Sequence, residues 1–423
     1  MGVPVRGTEV RSAIFPETTY GVIPGSPVGE LLYLRTNGLS ASVTRTTDPT
    51  LSGRRGQPKS VKNEKDLRGT LSATIAAESI CQLLKHLVGT PVAYRPAFNV
   101  AAALNVGTTI TPGIRILRAN ALTTPGTGSL TFTLAGTLLT WTAPGGSAGT
   151  PVNIAAGGDF ALPGSAANTH LYVRVTAGSL PGSNLTDAAI VVHNAYEHVF
   201  VVGSDIPTGF IVENYLGTKI ATASERYQRF LGNRMASAAI NIAATGISEI
   251  SFEAVGADYN TSATALDGTL DDFGHKGFSN LDGLTYVNGV LANTLTSLQV
   301  NWGNDLDEDG RTIGSGGVRS MLESGFVIVG GRFNALFDSS DFLVLSRAET
   351  EVAILQYLRR GTGAGTAGNE AFGIDLPRNL ITERTPAVPG PRGLRVDWDF
   401  NAHRPDTAEY DGVMFVRNQR ATI

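Results

Sequence analysis

The chain has 423 residues, a length that suits two to four domains at roughly 150 residues each. Its 33 Lys and Arg against 37 Asp and Glu leave a formal charge of −4, which excludes both a basic nucleic-acid binder and a polyacidic tail. Apolar residues at 42% exclude a wholly disordered chain, and 50 Gly with 20 Pro favour many short strands over long helices.

Residues 1–30 read as an arm rich in Pro and Gly. Leu39, Ala41 and Val43 then alternate with Ser40, Ser42 and Thr44, as a half-buried strand does. A long polar stretch follows, and from Arg45 to Arg68 it holds seven bases and three acids. Strand resumes at Thr70–Ala73. Ala76–Val88 reads as a helix: Ile80, Leu83, Leu84 and Leu87 make one apolar stripe, Glu78 sits in the first turn, Lys85 and His86 in the last, and Gly89 stops it.

The composition then changes. From Ala97 to His193 there are only five charges, Arg115, Arg118, Asp159, Arg174 and Asp187. Candidate strands at Gly113–Arg118, Ser129–Leu134, Leu138–Thr142, Leu171–Val175 and Ala189–His193 are separated by turn signals. The pattern predicts a small Ig-like β-sandwich inserted into a host domain. Host-like strands return at His198–Val202, Gly209–Leu216, Arg234–Ala243 and Ile247–Val255. In the last of these Ile250, Phe252 and Ala254 alternate with Glu249, Ser251 and Glu253. A polar linker covers Asp258–Asp282, and Asn288-Gly289 signals a type I′ hairpin.

The order then repeats. Leu298, Val300 and Trp302 alternate as Leu39–Val43 do, and a second long polar loop follows. From Trp302 to Gly325 that loop has five acids (Asp305, Asp307, Glu308, Asp309, Glu323) against Arg311 and Arg319. Strand at Phe326–Val329, a short helix at Asp338–Glu349 capped by Asp338 or a neighbouring Ser, and strands at Val352–Leu358 and Phe372–Arg384 come next. Leu394, Val396, Trp398 and Phe400 then alternate with Arg395, Asp397 and Asp399, with Gly393 ahead of them as Gly246 stands ahead of the earlier strand. Tyr410–Arg417 is the last strand. The repeated order suggests a duplication, which would let one chain fill two equivalent places in a ring.

At this point the residues carry a resemblance. GELLYLRTNGLSASVTRTTDPTLSGRRGQPKSV resembles the opening of phage tail tube proteins of the long, two-domain type. FSNLDGLTYVNGVLANTLTSLQVNWGNDLD resembles the start of a second tube domain, and RYQRFLGNRMASAAINIAATGISEISFEAVGAD the closing strands of the first. The inserted segment lies outside the resemblance. It implies a mainly β fold: two tandem tail-tube β-sandwich domains, each with a flanking helix, plus the inserted Ig-like sandwich. The domains expected are 1–95 with 196–258, an inserted decoration domain at 96–195, and 259–423 as linker and second tube domain. The resemblance further implies a non-enzymatic subunit of a major tail tube in the virion, assembled in the host cytoplasm. Homotrimeric, pseudo-sixfold rings would stack around a lumen that conducts DNA during ejection. The partners implied are the chain itself, the tape measure protein, tail terminator and distal tail proteins, and DNA passing without sequence-specific binding. No cofactor is expected.

Two sets of residues are candidates for that role. The oppositely charged loops could set the register between subunits or rings, through Arg45, Arg54, Arg55, Lys59, Lys62, Lys65 and Arg68 on one and Asp305, Asp307, Glu308, Asp309 and Arg311 on the other; merely solvated loops are the alternative. Glu249, Glu253, Asp397 and Asp399 could face a lumen, where an acidic wall would repel DNA phosphate; a solvated outer face is the alternative.

Other motifs carry less. Gly145–Gly149 matches G-x-S-x-G, yet Pro144 and Pro151 frame a loop and not the strand and helix that a nucleophile elbow needs. Asp305, Asp307, Asp309 and Gly310 open like a calcium loop, but the twelfth position is Gly316 where the bidentate Glu belongs, so they are a weak metal candidate. His193 and His198 lack a third zinc ligand. The lone Cys81 allows no intrachain disulfide and reads as a small, partly buried hydrophobe. The start has no signal-peptide core, and no apolar run reaches the ~20 residues of a membrane span. Two other classes remain open on sequence: a β-rich adhesin or receptor-binding tail or fibre protein, and a glycan hydrolase, which would need two converging carboxylates.

Overall fold

The computed structural model describes residues 6–47, 59–95, 97–98, 109–111, 114–120, 128–142, 147–156, 158–163, 170–175, 190–220, 222–288, 290–337, 340–386, 393–403 and 412–423. The elements that build the frame are β1 (Arg11–Glu17), β2 (Ser40–Thr46), β3 (Val61–Thr74), α1 (Cys81–Val88), β4 (Tyr196–Val201), β5 (Gly209–Tyr215), β6 (Tyr227–Ala243), β7 (Glu249–Gly256) and β8 (Asp258–Ser262). They continue as β9 (Gly283–Val287), β10 (Leu295–Gly303), β11 (Ile328–Leu336), α2 (Asp341–Arg347), β12 (Val352–Arg359), β13 (Ala371–Ile381), β14 (Arg395–Ala402) and β15 (Val413–Asn418). The protein is mainly β, with large antiparallel sheets, as the turn-rich composition requires.

Two layers enclose one core. The inner layer runs β2–β3–β7–β6–β10–β11–β14, antiparallel throughout. The outer layer is β1–β5–β6–β8 in the first half and β9–β12–β13–β15 in the second. β6 belongs to both layers: Tyr227–Asn233 pairs with β5, and Arg234–Asn241 pairs with β7. Leu71, Ile240, Ile250, Phe252, Val300, Trp302, Phe333, Trp398 and Phe400 from the inner layer meet Phe210, Val212, Phe372, Ile374 and Val416 from the outer in a single buried cluster. The period-two alternation read in β7 and β14 thus corresponds to one face in the core.

The same pairings occur twice. Phe210 lies opposite Asn233, and Val352 opposite Asn379. Asn233 Nδ2 donates to Phe210 O (2.9 Å) and Phe230 O (2.7 Å), while Asn379 Nδ2 donates to Val352 O (2.9 Å) and Leu376 O (2.9 Å). Ser12 Oγ donates to Asn214 Oδ1 (2.7 Å), as Thr285 Oγ1 does to Gln356 Oε1 (2.5 Å). Gly69 and Gly331 also correspond: a Cβ on either would collide with the carbonyl oxygen of the adjoining strand, from Gly38 and Gln299 respectively. These matches join β1 to β9, β2 to β10, β3 to β11, β5 to β12, β6 to β13 and β7 to β14.

Both helices are shorter than the sequence suggests. α1 starts at Cys81; Ala76–Ile80 ahead of it is a turn (Ile80 N to Ala76 O, 3.2 Å), in which Glu78 reaches Arg360 (3.6 Å). Its apolar stripe holds: Leu83, Leu84 and Leu87 are buried. α2 spans Asp341–Arg347; Ser340 precedes it without a side-chain cap, and Asp338 lies outside the described residues. Asn288 has φ 50°, as the first position of a type I′ turn requires, and Val287 pairs with Val290 across it.

The predicted inserted strands form at Ile114–Asn120, Gly128–Ala135, Leu138–Thr142, His170–Val175 and Ile190–Val192. They divide between a five-stranded sheet and a second ladder, with buried Trp141 donating from Nε1 to Leu162 O across them (2.8 Å). That ladder continues through Val92–Arg95 and β4 onto β15. The first strand after the insertion, β4, therefore sits beside the second half's outer layer.

Candidate functional site

The inner layer has a second face, opposite the core, and alternation puts the polar residues there. Glu249 and Glu253 of β7 lie in register with Asn241 and Ser237 of β6; these lie in register with Gln299 and Gly303 of β10. The row passes on through Arg332 of β11 to Asp399 of β14, with Asp397 opposite Asn334. All four sequence candidates thus share one continuous face made by both halves. Gly303, Gly330, Gly331, Arg332, Asp399 and neighbours line a shallow recess of about 660 Å³ on it.

That face is not the bare acidic wall the sequence suggests. Asp399 takes Arg332 Nε at 2.6 Å and Arg384 Nη2 at 2.5 Å, and the Arg332 hydrogen bond is the main reason its carboxyl lies below the usual range. Glu249 pairs with Arg35. Asp397 accepts from Asn334 Nδ2 (2.8 Å) and Glu253 from Ser237 Oγ (3.1 Å). Arg35, Arg332 and Arg384 were invisible as a group, because each acid's partner is set by cross-strand register and none is near it in sequence. Arg395 lies on the same face of β14.

The two charged loops meet each other inside one chain. β2 and β3 form a hairpin whose outer part, Val61–Asp66, extends beyond β7, which pairs with β3 only from Leu67 onward. The loop 304–327 folds back on that hairpin: Arg68 pairs with Glu308 (3.0 Å), Arg311 with Glu64 (3.3 Å), and buried Arg319 with Asp66 (2.5 Å). Arg319 also donates to Gly256 O and Glu308 O, and Lys65 N donates to Gly317 O. The hydrogen bond from Arg68 leads the causes that hold the Asp66 carboxyl low. Lys65 is taken by Asp258 (2.6 Å). Between the loops, Arg68 of the hairpin is thus engaged by Glu308, and Arg311 and Arg319 of the acidic loop by Glu64 and Asp66 of the hairpin, within the subunit. Arg45, Lys59 and Lys62 are exposed on the hairpin; Arg54 and Arg55 lie outside the described residues.

Asp305, Asp307 and Asp309 do not converge. Asp305 has φ 44° and its main-chain oxygen accepts from Gly325 N; Asp307 Oδ1 accepts from Asp309 N (3.0 Å). Among the described residues no group of three His, Cys, Asp or Glu is placed to hold a metal ion. His198 faces the Arg420 carbonyl (2.8 Å). Cys81 is fully buried, donates to Ala77 O, and burial pushes its thiol up to about 12, so it is inert as well as apolar. Of the G-x-S-x-G run, Gly145 and Gly146 lie outside the described residues.

No helix among the described residues is long and apolar enough to cross a membrane. No curated protein matches the chain. A family model described as phage tail tube protein matches residues 7–402, nearly the whole length. The chain belongs to that family, which carries a structural role in the tail tube of the virion.

Proposed function

We propose that the chain is the self-assembling ring subunit of the tube, with residues 1–95 and 196–258 as one tube domain, 259–423 as linker and second, and 96–195 as decoration. Three copies would close a pseudo-sixfold ring, and stacked rings would form a channel for DNA and the tape measure, capped by terminator and distal tail proteins. The observation that carries this is the inner layer: two halves with matching pairings share one sheet, one face is core, and the other is largely polar, with Ile328 and Leu336 exposed among the polar residues. A long sheet with an open rim at β2 is an aggregation hazard in a monomer and an asset in a ring.

The charge pairing on the polar face suits transport. A binder gains affinity when unpaired Lys and Arg displace counterions from phosphate. Here Arg35, Arg332 and Arg384 are each engaged by a carboxylate, which leaves them less available to hold DNA phosphate. The insert is hydrogen-bonded through β4 to the outer layer, which supports its reading as decoration on the outside. The role is structural, without catalysis, and assembly would take place in the host cytoplasm. Electron microscopy of the purified chain tests this: end-on views should show hollow rings with six lobes from three copies. Isolated globules alone, at high concentration, would overturn it.

A further inference from the structure

The two halves differ where their inner sheets end, and the difference assigns the contact between copies. In the first half β6 runs on to Ala243 and pairs on both sides, with β7 through Asn241 and with β10 through Ala243. In the second half the matching strand β13 stops at Ile381, after pairing with β14 only at Asn379–Ile381. Thr382–Pro386 are exposed or half-buried and not strand, although Thr382 N already donates to Asp399 O (2.8 Å). At the opposite rim β2, the counterpart of β10, is exposed at every residue and, among the described residues, pairs only with β3. Each rim lacks what the other has.

We propose that Thr382–Pro386 becomes strand only when it meets β2 of a second copy, in the register that β6 and β10 use within the chain. The proposal rests on the tube reading and specifies its seam. The register follows from matched pairs. Ser237 lies opposite both Glu253 and Gly303. Asp399 corresponds to Glu253, so Thr382 takes the place of Ser237. Leu67 pairs with Ala41 as Val329 pairs with Trp302, so Ser42 takes the place of Gly303. Thr382 therefore faces Ser42, and Arg384 faces Ser40. Pro386 cannot donate to a ladder and limits how far the strand can grow, a device that keeps a free rim from pairing early. The ring would then hold two kinds of seam: one preformed in each chain and one that folds on assembly.

Disulfide trapping tests this, since the only native thiol is buried. Directly opposed strand residues have Cα atoms about 4.5–5.5 Å apart, within disulfide reach, whereas four positions along a strand is about 13 Å. Tubes of the S42C/T382C variant should oxidise to covalent dimers and trimers on non-reducing gels, about tenfold more than T46C/T382C. S42C and T382C chains mixed before assembly should give dimers only, which covers a poorly folding double variant. Normal tubes with no excess over the T46C control would overturn the seam and leave the tube reading standing. Failure of the unmodified chain to form tubes would overturn both.

Discussion

The two halves of the sheet frame share one pairing scheme and use it differently. In the first half β8 is the last strand of the outer layer and pairs with β6. In the second half its counterpart β15 is paired on both sides, because β4 lies along it from Tyr196 to Val201. The strand that follows residues 96–195, β4, thus crosses over to cover the other half. The pairing scheme is shared and its rims are not: the second half's β15 gains a lid in β4, while the first half's β6 runs on past β7 to pair with β10.

The strongest way to break that comparison is at the lid. Glu197 of β4 and Arg417 of β15 form an ion pair at 3.3 Å with side chains 3% and 1% exposed. Arg417 also lies over the Phe415 ring at 5.3 Å. Removing one member of such a pair strands the other charge, at a cost of about 3–5 kcal/mol. Arg417→Ala should therefore lower the denaturation midpoint more than any other substitution considered. A change under about 1 kcal/mol would mean that β4 contributes little to the second half.

The buried asparagines sharpen the repeat itself. Asn233 and Asn379 are both fully buried, and each supplies two main-chain carbonyls. Asn233→Ala and Asn379→Ala should each cost about 2–3 kcal/mol, because two buried acceptors lose their donor. Similar costs in chemical denaturation would show that the halves are equivalent in energy as well as in pairing. A gap above about 2 kcal/mol would show that one copy has been relieved of the role.

How much of this was legible in sequence depends on the range of the cause. Alternation at Glu249–Ala254 and Leu394–Phe400 named the core face correctly, because strand period is a local property. The Asn288 turn and the inserted strands were legible for the same reason. The start of α1 was not: Ala76–Ile80 fits the helical stripe but forms a turn, and Glu78 there meets Arg360, far along the chain. The site was half legible. Glu249, Glu253, Asp397 and Asp399 alternate with core residues in the sequence, yet the pairing of Glu249 with Arg35 and of Asp399 with Arg332 and Arg384 depends on register. The opposite charges of the two loops were visible, but not that Arg68 and Glu308, 240 positions apart, would meet within one subunit.

That internal meeting gives the smallest and most specific expectation. Asp66 accepts from both Arg68 and Arg319, and these guanidinium groups hold its carboxyl below the ordinary value of 3.8. A carboxyl depressed in the folded state stabilises it above the unfolded value and loses that contribution as pH falls toward the folded one. The unmodified protein should therefore exceed Asp66→Asn in stability above about pH 4, by about 1 kcal/mol or less because the pair is partly solvated. The gap should shrink as pH falls further. A gap that is constant with pH would assign the contact to hydrogen bonding alone. A gap that widens in acid would remove the charge argument for how the 304–327 loop is held against the β2–β3 hairpin.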